Sequence, residues 1–214
     1  PVSGLLGANL LIYFDWELDY PGHTVTLYPR FPERDPADAH VSFVLAGGGR
    51  YRLSTGDSVS VGATRHLVYM DLEGRRLLAL LDTGASYMVI KKSVLESLGA
   101  ANRPDHGTTQ VVTAYGVVSA PLTELRQVSF ADAASTLLEN VYTVVVEDEF
   151  LQSLRVETGR EVDALVGGAY LSSFRLRFAT KERTIDVRRA SVKKREVPSG
   201  RPTLRLPPPV EAVP

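Results

Sequence analysis

From His40 to Ile90 the apolar positions alternate with polar ones or gather into short runs, a β-strand pattern with turns at Gly47-Gly48-Gly49 and Glu73-Gly74. The densest apolar run, Leu77–Leu81, stops on Asp82-Thr83-Gly84-Ala85-Ser86 before Tyr87–Ile90 resumes it. Ser93-Val94-Leu95-Glu96 has the form of a capping box and Gly99 suits a helix stop, which predicts a short helix over 93–98. Strands follow around Thr108–Val112, Val117–Leu122 and Val141–Val146, and a helical turn at Glu149–Arg155. Pro29–Asp38 holds three prolines and five charges, a linker composition. Val197–Pro214 has six prolines and no periodic apolar face, and reads as a disordered spacer.

The chain also resembles itself. Gly4–Pro29 lies over Ala164–Arg189 without a gap, at a constant offset of 160 that carries Gly7 onto Gly167. Leu5, Leu11, Phe14 and Thr24 then meet identical residues, and Leu6, Trp16, Leu18, Val25 and Leu27 meet apolar ones. Each copy reads as an apolar strand, a glycine, a short helical turn and two strands joined by a tight turn, so an internal repeat is expected.

Composition narrows the function classes. A length of 214 residues fits one domain plus part of another, and 44% apolar with 23% charged residues is the balance of a soluble globular protein. A net charge of −1 gives no drive toward nucleic acid. No apolar run approaches the roughly 20 residues of a membrane span. Without cysteine there are no disulfides or thiolate zinc sites, and His23, His40, His66 and His106 lack metal-ligand spacing, so neither metal nor cofactor is expected. None of these histidines sits in a companion motif for Ser58 either, which reads as a polar turn residue rather than a nucleophile. Five basic residues among Arg188–Arg195 read as a solvated charge run, the other reading being a contact for an anionic surface. The start at Pro1-Val2-Ser3, without methionine, reads as a fragment or processed chain whose compartment the sequence leaves open.

The chemistry concentrates at Asp82. An ionised carboxylate at the end of a buried strand is costly unless it is paired. A second carboxylate facing it resolves the cost: the two share one proton and hold a water, one acting as base while the other donates to a carbonyl oxygen. Thr83 would anchor the loop through its hydroxyl, and Gly84 would let backbone N–H groups approach.

These residues carry a family resemblance. Leu80-Leu81-Asp82-Thr83-Gly84-Ala85-Ser86 with apolar flanks resembles the retropepsin-like aspartic proteases, in a bacterial-type, tandem-repeat form. Leu165-Val166-Gly167 fits the family's second element, an apolar pair and glycine opening a short helix, and Leu5-Leu6-Gly7 fits it as well. Val111–Ala120, turning at Ala114-Tyr115-Gly116, fits the flap hairpin between them, with one glycine where the family has a glycine-rich tip. Ala169 stands where the first copy has Asn9.

The resemblance implies an all-β, closed-barrel acid-protease domain over 40–190, preceded at 1–31 by the C-terminal end of a homologous lobe. Residues 32–39 would link the two, and 191–214 form a basic, then proline-rich tail. It implies an aspartic endopeptidase, with Asp82 catalytic, Thr83 and Gly84 supporting, and Ala85, Ser86, Tyr115 and Gly116 binding a polypeptide substrate. One domain carries one catalytic aspartate. The partner is expected from a second lobe of the same chain or from a homodimer, since the counterpart of Asp82, 85 positions before Gly7 as Asp82 is before Gly167, falls upstream of Pro1. The competing reading is a catalytically inactive binding module on the same fold. Export, as a periplasmic or surface protein, is implied only by the bacterial relatives.

Overall fold

Along Arg65–Leu72 every residue from His66 to Leu72 except Tyr69 and Asp71 is buried, and Glu73 and Gly74 both take positive φ (54° and 83°). That is the backbone of a two-residue hairpin turn whose twist matches its strands, and it sets Leu72 opposite Arg75. The computed structural model describes residues 7–99, 103–113 and 116–190, and the tail expected over 191–214 lies outside them. In chain order the elements begin with α1 (Ala8–Leu11), β1 (Asp15–Asp19), β2 (Thr24–Tyr28), β3 (Ala39–Ala46), β4 (Gly49–Arg52) and β5 (Ser58–Val61). Next come β6 (Arg65–Leu72), β7 (Arg75–Leu81), β8 (Met88–Lys91), α2 (Lys92–Ser97), β9 (Thr108–Thr113) and β10 (Gly116–Phe130). The remainder are β11 (Leu138–Val146), α3 (Gln152–Thr158), β12 (Ala164–Val166), α4 (Gly168–Leu171), β13 (Phe174–Ala179) and β14 (Thr184–Arg189). The class is all-β.

One sheet takes the order β2-β1-β13-β14-β3-β6-β7-β12-β8-β11-β10-β9, and β10 returns to pair with β6 as well. The last pairing, Val128↔Leu72 to Phe130↔Met70, turns β6, β7, β12, β8, β11 and β10 into a cycle. Met70, Leu72, Leu125, Val128, Phe130, Ile90 and Met88 are fully buried in the main core. Tyr170 is buried there with its hydroxyl satisfied, donating to the Thr136 carbonyl at 2.9 Å and accepting from the Phe130 N–H at 3.2 Å.

One turn and one helix cap differ from expectation. Glu73-Gly74 reverses the chain as expected, but Gly47-Gly48-Gly49 does not. The chain bends there and runs on into an inserted hairpin, β4–β5, that turns between Leu53 and Asp57. A Cβ on Gly48 would lie 2.8 Å from the Gly62 carbonyl carbon, so the glycines serve a close crossing of backbones at the hairpin's neck. The capping box also fails: α2 starts after Lys91, and the Ser93 N–H is held by the Asp148 carboxylate, 3.1 Å away, rather than by a local side chain. Gly99 ends the helix at φ 79°, as expected.

The two segments aligned at the offset of 160 adopt the same series of elements, α1–β1–β2 and α4–β13–β14. They also pair with each other: β1 runs antiparallel to β13 as Trp16↔Phe178, Glu17↔Arg177, Leu18↔Leu176 and Asp19↔Arg175. Exchanging the copies carries Trp16↔Phe178 onto Leu176↔Leu18 and returns Glu17↔Arg177 to itself, so the register has the symmetry of a local two-fold axis. Trp16 and Phe178 stack at 3.9 Å across it. Burial pushes the Glu17 carboxyl up, but hydrogen bonds from Arg175 and Arg177 outweigh it and hold it below the usual range. The copies differ in what covers them. Leu10, Phe14, Val25 and Leu27 are 37–50% exposed, whereas their counterparts Tyr170, Phe174, Ile185 and Val187 are 2% exposed or less.

The segment read as a linker is tied down. Arg34 bonds Glu182 and Thr184, Asp38 and Asp35 hold Arg188, and Arg177 reaches the Glu33 carbonyl. Its charges clamp it along β14.

Candidate active site

Strand β12 slots between β7 and β8, parallel to the first (Val166↔Leu81) and antiparallel to the second (Leu165↔Val89). The chain leaving β7 must pass over the end of β12 to reach β8, and Asp82–Tyr87 forms that crossing. The Asp82 N–H is fixed by the Val166 carbonyl at 3.1 Å, the Ala85 N–H by the Asp82 carbonyl at 3.2 Å. From the other side, the Gly168 and Ala169 N–H groups hold the Ala85 and Ser86 carbonyls at 2.7 and 2.8 Å. Gly167 permits this contact: a Cβ there would lie 2.0 Å from the Tyr87 carbonyl oxygen. The glycine is required by sterics, its φ of −107° being open to any residue.

The crossing presents Asp82 half-buried, with the Gly84 N–H donating to Oδ1 at 3.0 Å. Asp82 therefore stands at the strand's end in a cleft rather than inside a closed core. Thr83 is exposed, and its carbonyl accepts from the Tyr20 hydroxyl at 3.5 Å. Burial, and after it the negative charge of Asp82, pushes the Tyr20 phenol up to about 12. Among the described residues no second carboxylate is hydrogen-bonded to Asp82.

Hairpin β9–β10 closes over the cleft, paired from Pro121↔Thr108 to Gly116↔Thr113, with Tyr115 at a tip outside the described residues. A cavity of about 560 Å³ runs along Asp82, Gly84, Ala85 and Ser86 and is walled by Gln110, Val111, Val144, Phe150 and Leu165. A second, of about 620 Å³, joins Asp82 to Gly116, Val117 and Val118, with Arg65, Glu149, Phe150 and Leu154 on its far wall. Phe150 and Leu165 line both, so the cleft passes Asp82 with an aromatic ridge beside it. Of the expected site residues, Asp82, Gly84, Ala85, Ser86 and Gly116 share this cleft. Thr83 lines neither cavity.

Sequence reasoning missed Phe150, Arg65, Glu149 and Tyr20. Phe150 left a trace as the single aromatic in the turn Glu147–Phe150; Tyr20 left none, because its approach to Thr83 spans 63 positions.

A half-buried aspartate thus sits on a glycine loop that is gripped by a second glycine loop and roofed by a hairpin. Residues 68–170 match the family described as aspartyl protease, from β6 to α4. A retropepsin-like aspartic protease from Rickettsia conorii is similar at 16% identity and a TM-score of 0.41, covering 72% of this chain and 100% of its own. No curated protein matches the sequence. The matched stretch spans the segments that carry the motif resemblance, from the strand before Asp82 to the helix after Gly167.

Proposed function

We propose that the protein is an aspartic endopeptidase in which Asp82 supplies one of two catalytic carboxylates. The observation that carries this is the placement of Asp82: the strand crossing fixes its backbone, the Gly84 N–H orients one oxygen, and the other side opens into a cleft roofed by a hairpin. In the assembled site the two carboxylates share a proton and bind a water between them. The ionised one takes a proton from that water as it attacks the peptide carbonyl carbon, and the protonated one donates to the carbonyl oxygen. Collapse of the tetrahedral species returns a proton to the leaving nitrogen. The β9–β10 hairpin acts as the flap, with Tyr115 and Gly116 at its tip and Ala85 and Ser86 along the substrate's path, and excludes bulk water.

The second carboxylate comes from a lobe built like residues 39–163, for which residues 7–28 are the closing segment. Two observations support this over a homodimer. The apolar face of residues 7–28 is uncovered where its copy is buried. The edge of β13 that a second copy would use is occupied by β1.

The test compares wild type and Asp82→Asn, in the two-lobe protein and in this chain, on denatured protein mixtures across pH. Hydrolysis should fall at least about a hundredfold in the Asn variant, because an amide serves neither as base nor as acid. Full activity in that variant refutes the proposal. Tight peptide binding without turnover in the wild-type two-lobe protein points instead to a binding module, a reading favoured by the absence, among the described residues, of a second carboxylate hydrogen-bonded to Asp82.

A further inference from the structure

The turn after β1 is built to hold one side chain still. The Asp19 carboxylate accepts the Gly22 N–H at 2.8 Å, and the Tyr20 carbonyl accepts the His23 N–H at 3.2 Å while His23 takes a left-handed φ of 54°. The hairpin carrying this turn is in turn fixed by its four-residue register with β13. The Tyr20 ring packs against the main core, and its hydroxyl ends 3.5 Å from the Thr83 carbonyl oxygen. A side chain from the N-terminal hairpin thus touches the loop that carries Asp82, although β1 and β7 stand five places apart in the sheet order.

The repeat sharpens the point. At the offset of 160 the counterpart of Tyr20 is Thr180, whose shorter side chain bonds the Phe14 carbonyl at 2.6 Å. The tyrosine is therefore not a requirement of the hairpin's fold, since the copy is made without it.

We propose that Tyr20 is a positioning residue for the Asp82-Thr83-Gly84 loop, bracing it from below through the Thr83 carbonyl. Thr83 has no other engaged polar group among the described residues, so this brace is what the loop's middle rests on. A phenol pushed up to about 12 stays protonated, and so remains a donor, throughout any working pH. The inference rests on the reading of Asp82 as catalytic only for its effect on rate; the contact itself is tested separately.

The test uses Tyr20→Phe, which keeps the ring and removes the donor, in isotopically labelled protein. The Thr83 carbonyl carbon resonance should move upfield with the melting temperature unchanged, and the Tyr20 phenol should titrate lower in Asp82→Asn than in wild type. In the two-lobe protein, kcat should fall roughly fivefold at constant KM, the scale of one lost neutral hydrogen bond. A Thr83 resonance identical in Tyr20→Phe and wild type overturns the proposal, as does a loss confined to thermal stability. Full hydrolysis by Asp82→Asn with the resonance shift present removes the enzymatic reading and leaves the brace standing.

Discussion

His66 faces Trp16, Phe43 and Phe178 at ring distances of 6.4, 4.9 and 5.5 Å, and its Nε2 is buried without a hydrogen-bond partner. Burial lowers its pKa from 6.5 to about 4; a hydrogen bond with the Thr64 backbone pulls the other way, and the nearby Arg183 charge lowers it slightly. The folded protein therefore holds His66 neutral where the unfolded chain would protonate it. Between pH 6.5 and 4 the unfolded state binds the extra proton, so stability is complete above 6.5, falls as pH drops through this window, and levels off below about 4. At roughly 1.36 kcal/mol for each pH unit the linked loss is about 3 kcal/mol. The perturbation is His66→Leu, similar in volume and without a titratable group. Urea unfolding of both proteins at steps from pH 7.5 to 4 gives the two stability curves, with constant slope against urea confirming that the same transition is compared. The difference between them should grow by about 3 kcal/mol across the window. Depressed carboxylates such as Glu17 and Glu73 lose their contribution below their ordinary values in both proteins, and cancel in the difference. Parallel curves would refute the assignment of the slope to His66. The loss matters for function, because His66 sits where the N-terminal hairpin meets the domain that carries Asp82.

Gly167→Ala should destabilise by more than about 3 kcal/mol, because the new methyl collides with backbone carbonyls of the Asp82 crossing that are held from both sides. Thermal unfolding within about 0.5 kcal/mol of wild type would mean the crossing is loose. Gly116→Val forces a β-branched residue to φ 128° at the mouth of the flap, and should reduce turnover more than it lowers the melting temperature. Equal losses would make the β9–β10 hairpin a structural element only.

What was legible in the sequence was local. Leu77–Leu81 running into Asp82-Thr83-Gly84 is a contrast visible within ten residues, and Gly167 was visible through its match to Gly7. Strand β10 extends past the expected Leu122: Glu124, Arg126 and Gln127 interrupt the apolar pattern, while Leu125, Val128 and Phe130 are buried. The helix start at Ser93 was misplaced because its N–H is satisfied by Asp148, 55 positions away. The charges of Pro29–Asp38 looked like solvated linker because their partners, Arg188 and Glu182, lie some 150 positions on. Pairing at that distance leaves no periodicity to read.

The pairing of Trp16 with Phe178 has a consequence for how the protein is made. The two strands are 162 positions apart, and a ribosome adding about 5–20 residues per second leaves β1 waiting roughly 10–30 s for its neighbour. During that interval the indole of Trp16 has no strand of the second copy to rest against. The nascent hairpin is then an open sheet edge with an apolar face, the kind of surface on which chains from neighbouring ribosomes mispair.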